Sequence, residues 1–234
     1  MRQVLPLIAY FLTALAMLAI LIMGVEIAPE LEIPAAIASI AAIGILSVVG
    51  LFEKSIIRYA FYSALIQFGY FALDVSAAFL IDKSVWFAVI QFINFMVAGL
   101  LFTLIVSLFY NAVGKARMPE YAGMYVNNQG LALALAISCL ALGGMPGFNI
   151  FVGEFLIYST LFSVHPALTV AAVFAGLVCF IFYFRICYVM FAGTAEKTIR
   201  LGLLSKLFIS ILAMIIVILG VVPQILMTIL GWFA

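Results

Sequence analysis

Charge is scarce in this sequence: Asp, Glu, Lys and Arg together make 8% of its 234 residues, and the formal net charge is +1. A chain so poor in charge has no acidic or basic face for nucleic acid, and its Lys and Arg never interleave with aromatics as such binders require. Histidine occurs once, at His165, which excludes a histidine-built metal centre. The three cysteines, Cys139, Cys179 and Cys187, lie inside apolar runs without CxxC spacing, so neither a disulfide framework nor a thiolate metal site is expected. Polar stretches are short as well. The longest runs from Asn111 to Gln129, with Lys115, Arg117, Pro119, Glu120 and the Asn127-Asn128 pair, and is too small for an extramembrane domain. These absences remove most hydrolytic and redox chemistry from the chain itself. No cofactor and no metal are expected, and any electron-transfer or nucleotide chemistry linked to the chain belongs to its partners.

What the sequence does hold is apolar: 69% of residues are hydrophobic and the mean hydropathy is +1.40, the composition of a multi-pass membrane protein. None of the recurring apolar runs is flanked like a cleavable signal peptide, so the first span is expected to direct insertion into the cell (inner/cytoplasmic) membrane. The runs predict helices over 4–25, 34–52, 56–80, 85–110, 129–146, 149–163, 167–192 and 203–222. The expectation is an all-α, polytopic bundle of about seven to eight helices forming a single transmembrane domain over 1–234, with one helix interrupted around 143–149. Between the runs lie Glu26, Glu30 and Glu32 with Pro29 and Pro34, then Glu53 and Lys54, then Asp82 and Lys83. If every segment crosses, Arg2, Lys54, Arg58, Lys115 and Arg117 face one side and Lys83, Lys197, Arg200 and Lys206 the other. If 149–163 re-enters instead, Lys197, Arg200 and Lys206 join the first group, and the positive-inside rule favours that arrangement.

The interruption carries the strongest signal. Gly143-Gly144-Met145-Pro146-Gly147-Phe148 breaks an apolar run, with Gly144, Pro146 and Gly147 as the helix breakers, and Glu154 follows inside the next apolar segment. An ionisable group at bilayer depth costs at least about 2.5 kcal/mol and usually marks a pathway or a counter-ion. Non-helical backbone survives there only when shielded by protein or a wet cavity. The free amides at the start of the second half-helix would favour a charge on Glu154; the competing reading is a rim acid bonded to loop backbone. Arg185, deep in Phe180–Tyr188, needs an acidic partner such as Glu154 or else snorkels to the headgroups. Lys54 and Arg58 stand at i and i+4 beside Glu53, as relay groups or as a solvated interfacial cluster. Asp74 reads as a buried relay acid or a helix-end residue, and Gln67, Gln91 and Asn94 as interhelical hydrogen-bonding groups able to order water. His165 before Pro166 reads as a turn, and the abundant Phe and Met as lipid-facing and interhelical packing.

These motifs resemble the antiporter-like proton-translocating subunits of respiratory complex I and its relatives, the membrane-bound hydrogenases and multi-subunit cation/proton antiporters, with the nearest likeness to the chain-M type. Members carry a segment of the form LGMPGxxxFVGEFxIL, which Leu142 to Tyr158 matches as LGGMPGFNIFVGEFLIY. Their KRxxAYSSxxxxGY is matched from Ile57 to Tyr70, their VIQMIxHG from Val89 to Met96, and their YYxxRxxYVMF, loosely, from Tyr183 to Phe191. The likeness covers essentially the whole chain but only about the C-terminal half of a full-length member, so the chain resembles a truncated subunit. It implies that Glu154 is the terminal acid exchanging protons with the aqueous side. Departures are equally informative: the family's buried lysine falls on Ile57, its central histidine on Phe95, and the lysine of the first broken helix on Ala14. Lys54, near Ile57, is a candidate replacement for the lost lysine.

The implied function is redox-driven proton or sodium translocation by a half-length, non-catalytic membrane subunit of a complex I-related respiratory or hydrogenase assembly. Its pathway groups would be Glu154, Arg185, Lys54, Arg58 and Asp74. Its partners would be other membrane subunits of that assembly, full-length antiporter-like subunits among them, and the lipid bilayer. The alternatives are a non-conducting structural subunit of the membrane arm and an autonomous cation/proton antiporter.

Overall fold

Long apolar stretches whose prolines fall only in the first turn, as at Pro6, Pro34 and Pro166, have no means of satisfying their backbone in lipid other than helix, and helix is what they form. A computed structural model describes residues 5–24, 27–81, 86–194 and 198–229. Arg2, Glu26, Asp82, Lys83 and Lys197, on which part of the charge tally depends, lie outside the described residues. The helices are α1 (Leu5–Met23), α2 (Glu32–Leu51), α3 (Ile56–Ile81), α4 (Trp86–Val113), α5 (Gln129–Leu142), α6 (Asn149–Val164), α7 (Pro166–Phe191), α8 (Leu203–Val221) and a short α9 (Gln224–Ile229). No strand occurs among the described residues.

Six of these, α1, α2 with its preceding turn, α3, α4, α7 and α8, are long and apolar enough to cross a membrane. The chain is thus built as a multi-pass membrane protein. α5 and α6, with 14 and 16 residues, reach only about 21 and 24 Å at 1.5 Å per residue, short of a hydrocarbon core of about 30 Å. The helix expected over 129–146 is shorter than its apolar run, because α5 stops at Leu142, four residues before Pro146, so the break is flanked by two short helices. The Gly143-Gly144 pair, with Gly144 at φ +71°, turns the chain before the proline is reached.

The bundle is layered by burial. Within their apolar windows α3 is 72% and α4 61% buried, against 17% to 33% for α1, α2, α7 and α8. α3 and α4 therefore form the centre, and α6 packs against both. The outer helices turn Phe, Leu and Ile outward, as at Phe174, Leu177 and Leu204, the faces a bilayer solvates. Small residues set the closest helix approach: Gly50 of α2 lies under the Phe182 ring of α7, where a Cβ would sit 2.5 Å from Cε2. Phe182 in turn stacks on Tyr59 of α3 with ring centroids 4.0 Å apart, and the Tyr59 hydroxyl donates to the Phe182 carbonyl. His165 is the single residue between α6 and α7, the turn position its Pro166 neighbour indicated.

Candidate functional site

An interrupted helix inside a bundle leaves backbone carbonyls that must find donors, and here each of the last four of α5 has one. Gly143 N–H donates to Cys139 O at 2.9 Å, Met145 N–H to Leu140 O at 3.0 Å and Gly144 N–H to Ala141 O at 3.0 Å. The last two bonds, with Gly144 left-handed, are the pattern of a Schellman cap. The fourth carbonyl, Leu142 O, lies beyond local reach and is met from α3 by Gln67 Nε2 at 2.9 Å, with the Cys179 thiol of α7 at 3.9 Å. Gln91 Nε2 of α4 donates to Gln67 Oε1 at 3.1 Å, which orients the Gln67 amide, and Ser63 and Tyr183 hydroxyls pair at 2.7 Å beside it. On the other side of the break Asn94 Nδ2 donates to Asn149 O at 2.9 Å and Asn149 Nδ2 to Asn94 O at 3.1 Å. Gln67, Gln91 and Asn94 thus converge on the interruption and hold its two ends.

Glu154 is the sixth residue of α6, whose N-cap Phe148 contributes no side-chain bond. Helical side chains lean toward the N-terminus, so its carboxylate reaches back over the break and lies against Gly144, where a Cβ would overlap it. Glu154 is 6% exposed. Asp74 of α3, itself 3% exposed, is within electrostatic reach of it, and so are Tyr70 of α3, Tyr158 of α6 and Cys179 of α7. The two tyrosine hydroxyls meet over Gly176 of α7, where a Cβ would stand 2.9 Å from Tyr158 and 3.2 Å from Tyr70. Tyr70 Oη, Asp74 Oδ2, Glu154 Oε1 and Tyr158 Oη are all buried without a direct hydrogen-bond partner. An unpaired buried polar group costs about 1–3 kcal/mol, so these four, two carboxyls and two hydroxyls, form a polar focus that packing alone does not explain.

The cations stand apart from it. Arg185 Nη1 donates to Glu53 O at 2.8 Å and Gly50 O at 3.5 Å, with its guanidinium 5.9 Å from the centre of the Tyr59 ring. The expected partnership with Glu154 is therefore not made: Arg185 closes the carbonyl end of α2, and lies about 13 Å along α7 from Gly176 at 1.5 Å per residue. Arg58 Nη2 pairs with Glu53 Oε1 at 3.0 Å and is about 18 Å along α3 from Tyr70. Lys54 does not share a helix face with Arg58, because it precedes α3 and is exposed; the candidate replacement for a buried lysine sits outside the bundle interior. Ile57 and Phe95 are buried and apolar, and Phe95 packs against Tyr10 with ring centroids 5.2 Å apart. Sequence reasoning missed Tyr70 and Tyr158. Tyr158 follows Glu154 by four residues, a spacing that places both on one face, whereas nothing in the sequence announces that Asp74 and Glu154, eighty positions apart, are neighbours.

Residues 3–179 match the family described as NADH:quinone oxidoreductase/Mrp antiporter, TM. Among curated proteins the chain is similar to NADH-quinone oxidoreductase subunit N of Bacillus anthracis, 33% identical over 198 residues, covering 82% of this chain and 38% of that protein. It is also similar to the subunit N of Anoxybacillus flavithermus, 27% identical over 185 residues, covering 76% and 36%. These relatives carry the N designation, where the motif likeness was to the M type. Among solved structures the fold matches chains of respiratory complex I from Thermus thermophilus (TM-score 0.70, 19% identity, 83% of this chain and 41% of that one) and of an archaeal membrane-bound sulfane sulfur reductase (TM-score 0.74, 23% identity, 83% and 40%). A chain of the Mrp complex from Dietzia sp. also matches, with TM-score 0.74, 15% identity and coverage of 83% and 45%. These structural neighbours are all subunits of multi-subunit complexes. The chain spans about two-fifths of the length of the relatives it matches. With its family match running over most of the chain, residues 3–179, the protein belongs to the NADH:quinone oxidoreductase/Mrp antiporter transmembrane family.

Proposed function

We propose that this chain is an antiporter-like membrane subunit of a complex I-related respiratory or hydrogenase-type assembly, in which it contributes to redox-driven translocation of protons or sodium ions. Its partners are the other membrane subunits, full-length antiporter-like subunits among them, and the electron-transfer chemistry resides on them. The observation that carries the reading is the Glu154 carboxyl held over the helix break with Asp74, Tyr70 and Tyr158 within its electrostatic reach and, among the described residues, no cation paired with it. Two buried carboxyls within electrostatic reach of each other resist being charged together, so an ion or proton arriving at one changes the state of the other. Glu154 is the aqueous-side exchange group in this scheme and Asp74 its inner neighbour. Arg185 and Arg58 act from the α2–α3 end through their field rather than by contact.

The test is Glu154→Gln in the assembled complex, reconstituted in vesicles and driven by its own electron donor. Ion translocation per electron should fall at least about tenfold, the scale typical of losing one proton-transfer group, while subunit recovery and electron transfer persist. Unchanged translocation with normal assembly would sink the reading. One observation favours a second one, a structural subunit that seals the membrane arm without conducting: Ile57 and Phe95 are buried where the family likeness leads one to expect a lysine and a histidine. That alternative predicts full translocation in Glu154→Gln and disturbed assembly instead in variants of the Asn94–Asn149 contact.

A further inference from the structure

Away from the helix break, a cavity of about 700 Å³ opens between the start of α5, the segment Thr198–Leu201 and the first two turns of α8. Its lining mixes two chemistries. Among the described residues that line it, Arg200 and Lys206 are the charged side chains and none is Asp or Glu, while Leu131, Ile199, Leu201 and Ile209 give it apolar walls. Among the described residues neither cation takes part in an ion pair, the two present being Arg58–Glu53 and Lys115–Glu120. The wall is tied in place: Asn128 Oδ1 accepts from Ile199 N–H at 2.7 Å, and Asn128 Nδ2 donates to Met124 O at 3.0 Å. A second groove, about 310 Å³, runs between α4 and α8 past Leu104, Leu108, Leu204 and Phe208, and shares Ile209 with the first. A basic recess thus adjoins an almost wholly apolar one at the end of a 19-residue apolar helix, the depth at which lipid headgroups meet acyl chains.

We infer that this double recess is a binding site for an anionic phospholipid. The phosphate sits between Arg200 and Lys206, and an acyl chain follows the α4–α8 groove past Ile209 and Phe208. The guanidinium offers paired N–H donors to the phosphodiester oxygens and the ammonium a point charge, an arrangement that attracts anionic lipid at a membrane surface. Among the described lining residues there are two cations and no carboxylate, so none of them complements the positive end of a zwitterionic headgroup. This assignment is independent of whether the chain conducts ions.

The experiment uses the protein in whatever complex it purifies with, in mild detergent, exchanged into nanodiscs containing phosphatidylglycerol and phosphatidylcholine in equal amounts. Native mass spectrometry then reads which lipid stays bound. The expected result is phosphatidylglycerol retained about tenfold or more over phosphatidylcholine, as two membrane-facing cations warrant. The preference should disappear in Arg200→Gln/Lys206→Gln and be intermediate in Lys206→Gln, the single change serving if the double variant fails to fold. Equal retention of the two lipids by the unaltered protein overturns the inference. So does full displacement of phosphatidylglycerol by inorganic phosphate, which marks a free-anion site. Cross-linking of a Ser210→Cys variant to a neighbouring subunit with no lipid retained overturns it too, because a protein segment then fills the recess.

Discussion

Two glycines of the break separate backbone strain from the chemistry of Glu154. Gly144 and Gly147 have φ of +71° and +92°, so an alanine at either costs about 1–2 kcal/mol in backbone conformation. At about 2–4 °C per kcal/mol for a chain of this size, each should lower the unfolding midpoint by about 2–8 °C. Their surroundings differ. A Cβ at Gly147 meets nothing within 4 Å, whereas one at Gly144 falls on the Glu154 carboxylate, which must then withdraw by about 1 Å to recover an ordinary contact distance. A displacement of that size in a reacting group costs up to about 10²-fold in rate. The prediction is that Gly144→Ala and Gly147→Ala are destabilised alike by scanning fluorimetry in detergent. Dye-monitored ion uptake driven by the host complex should fall about 10- to 100-fold in Gly144→Ala and stay within about twofold of the unaltered protein in Gly147→Ala. Equal loss of uptake in both would show that the break itself matters and the carboxylate position does not; normal uptake in Gly144→Ala would remove Glu154 from the pathway.

Other consequences concern how the break is held. The reciprocal Asn94–Asn149 bonds join α4 to the start of α6, each from a side-chain amide to the other residue's backbone carbonyl, so Asn94→Ala and Asn149→Ala should each cost about 1–3 kcal/mol in unfolding measurements and add in the double variant; no loss from either single change would contradict the contact. Gln67→Leu strands the Leu142 carbonyl and should cost about 1–3 kcal/mol. Gln91→Leu, which leaves Gln67 to serve Leu142, should cost less, and the reverse order of midpoints would refute this account.

Some of this architecture is local and was legible early. Helix and span follow from unbroken apolar length, because each backbone amide finds its partner four residues away. The interruption follows from Gly143, Gly144, Pro146 and Gly147, and the burial of Glu154 from the apolar residues on either side of it. Even so, α5 ends earlier than its apolar run suggests, since a glycine pair can stop a helix by a left-handed cap before proline forbids it. Tyr158 could have been found by its spacing from Glu154.

The pairings were another matter. Arg185 looked to an acid and binds the carbonyls of Glu53 and Gly50, because the packing of α7 on α2 brings that end of α2 to it and, among the described residues, no carboxylate pairs with it. Lys54 and Arg58 looked like neighbours on one helix, yet α3 starts only at Ile56 and leaves Lys54 outside it. Residue type and spacing along the chain are enough to specify a multi-pass helical membrane protein with one interrupted helix and a buried acid beyond the break. That Asp74, Tyr70 and Tyr158 gather near that acid and that Gln67 feeds the broken backbone follows instead from how α3, α6 and α7 pack, because such contacts join positions far apart in sequence.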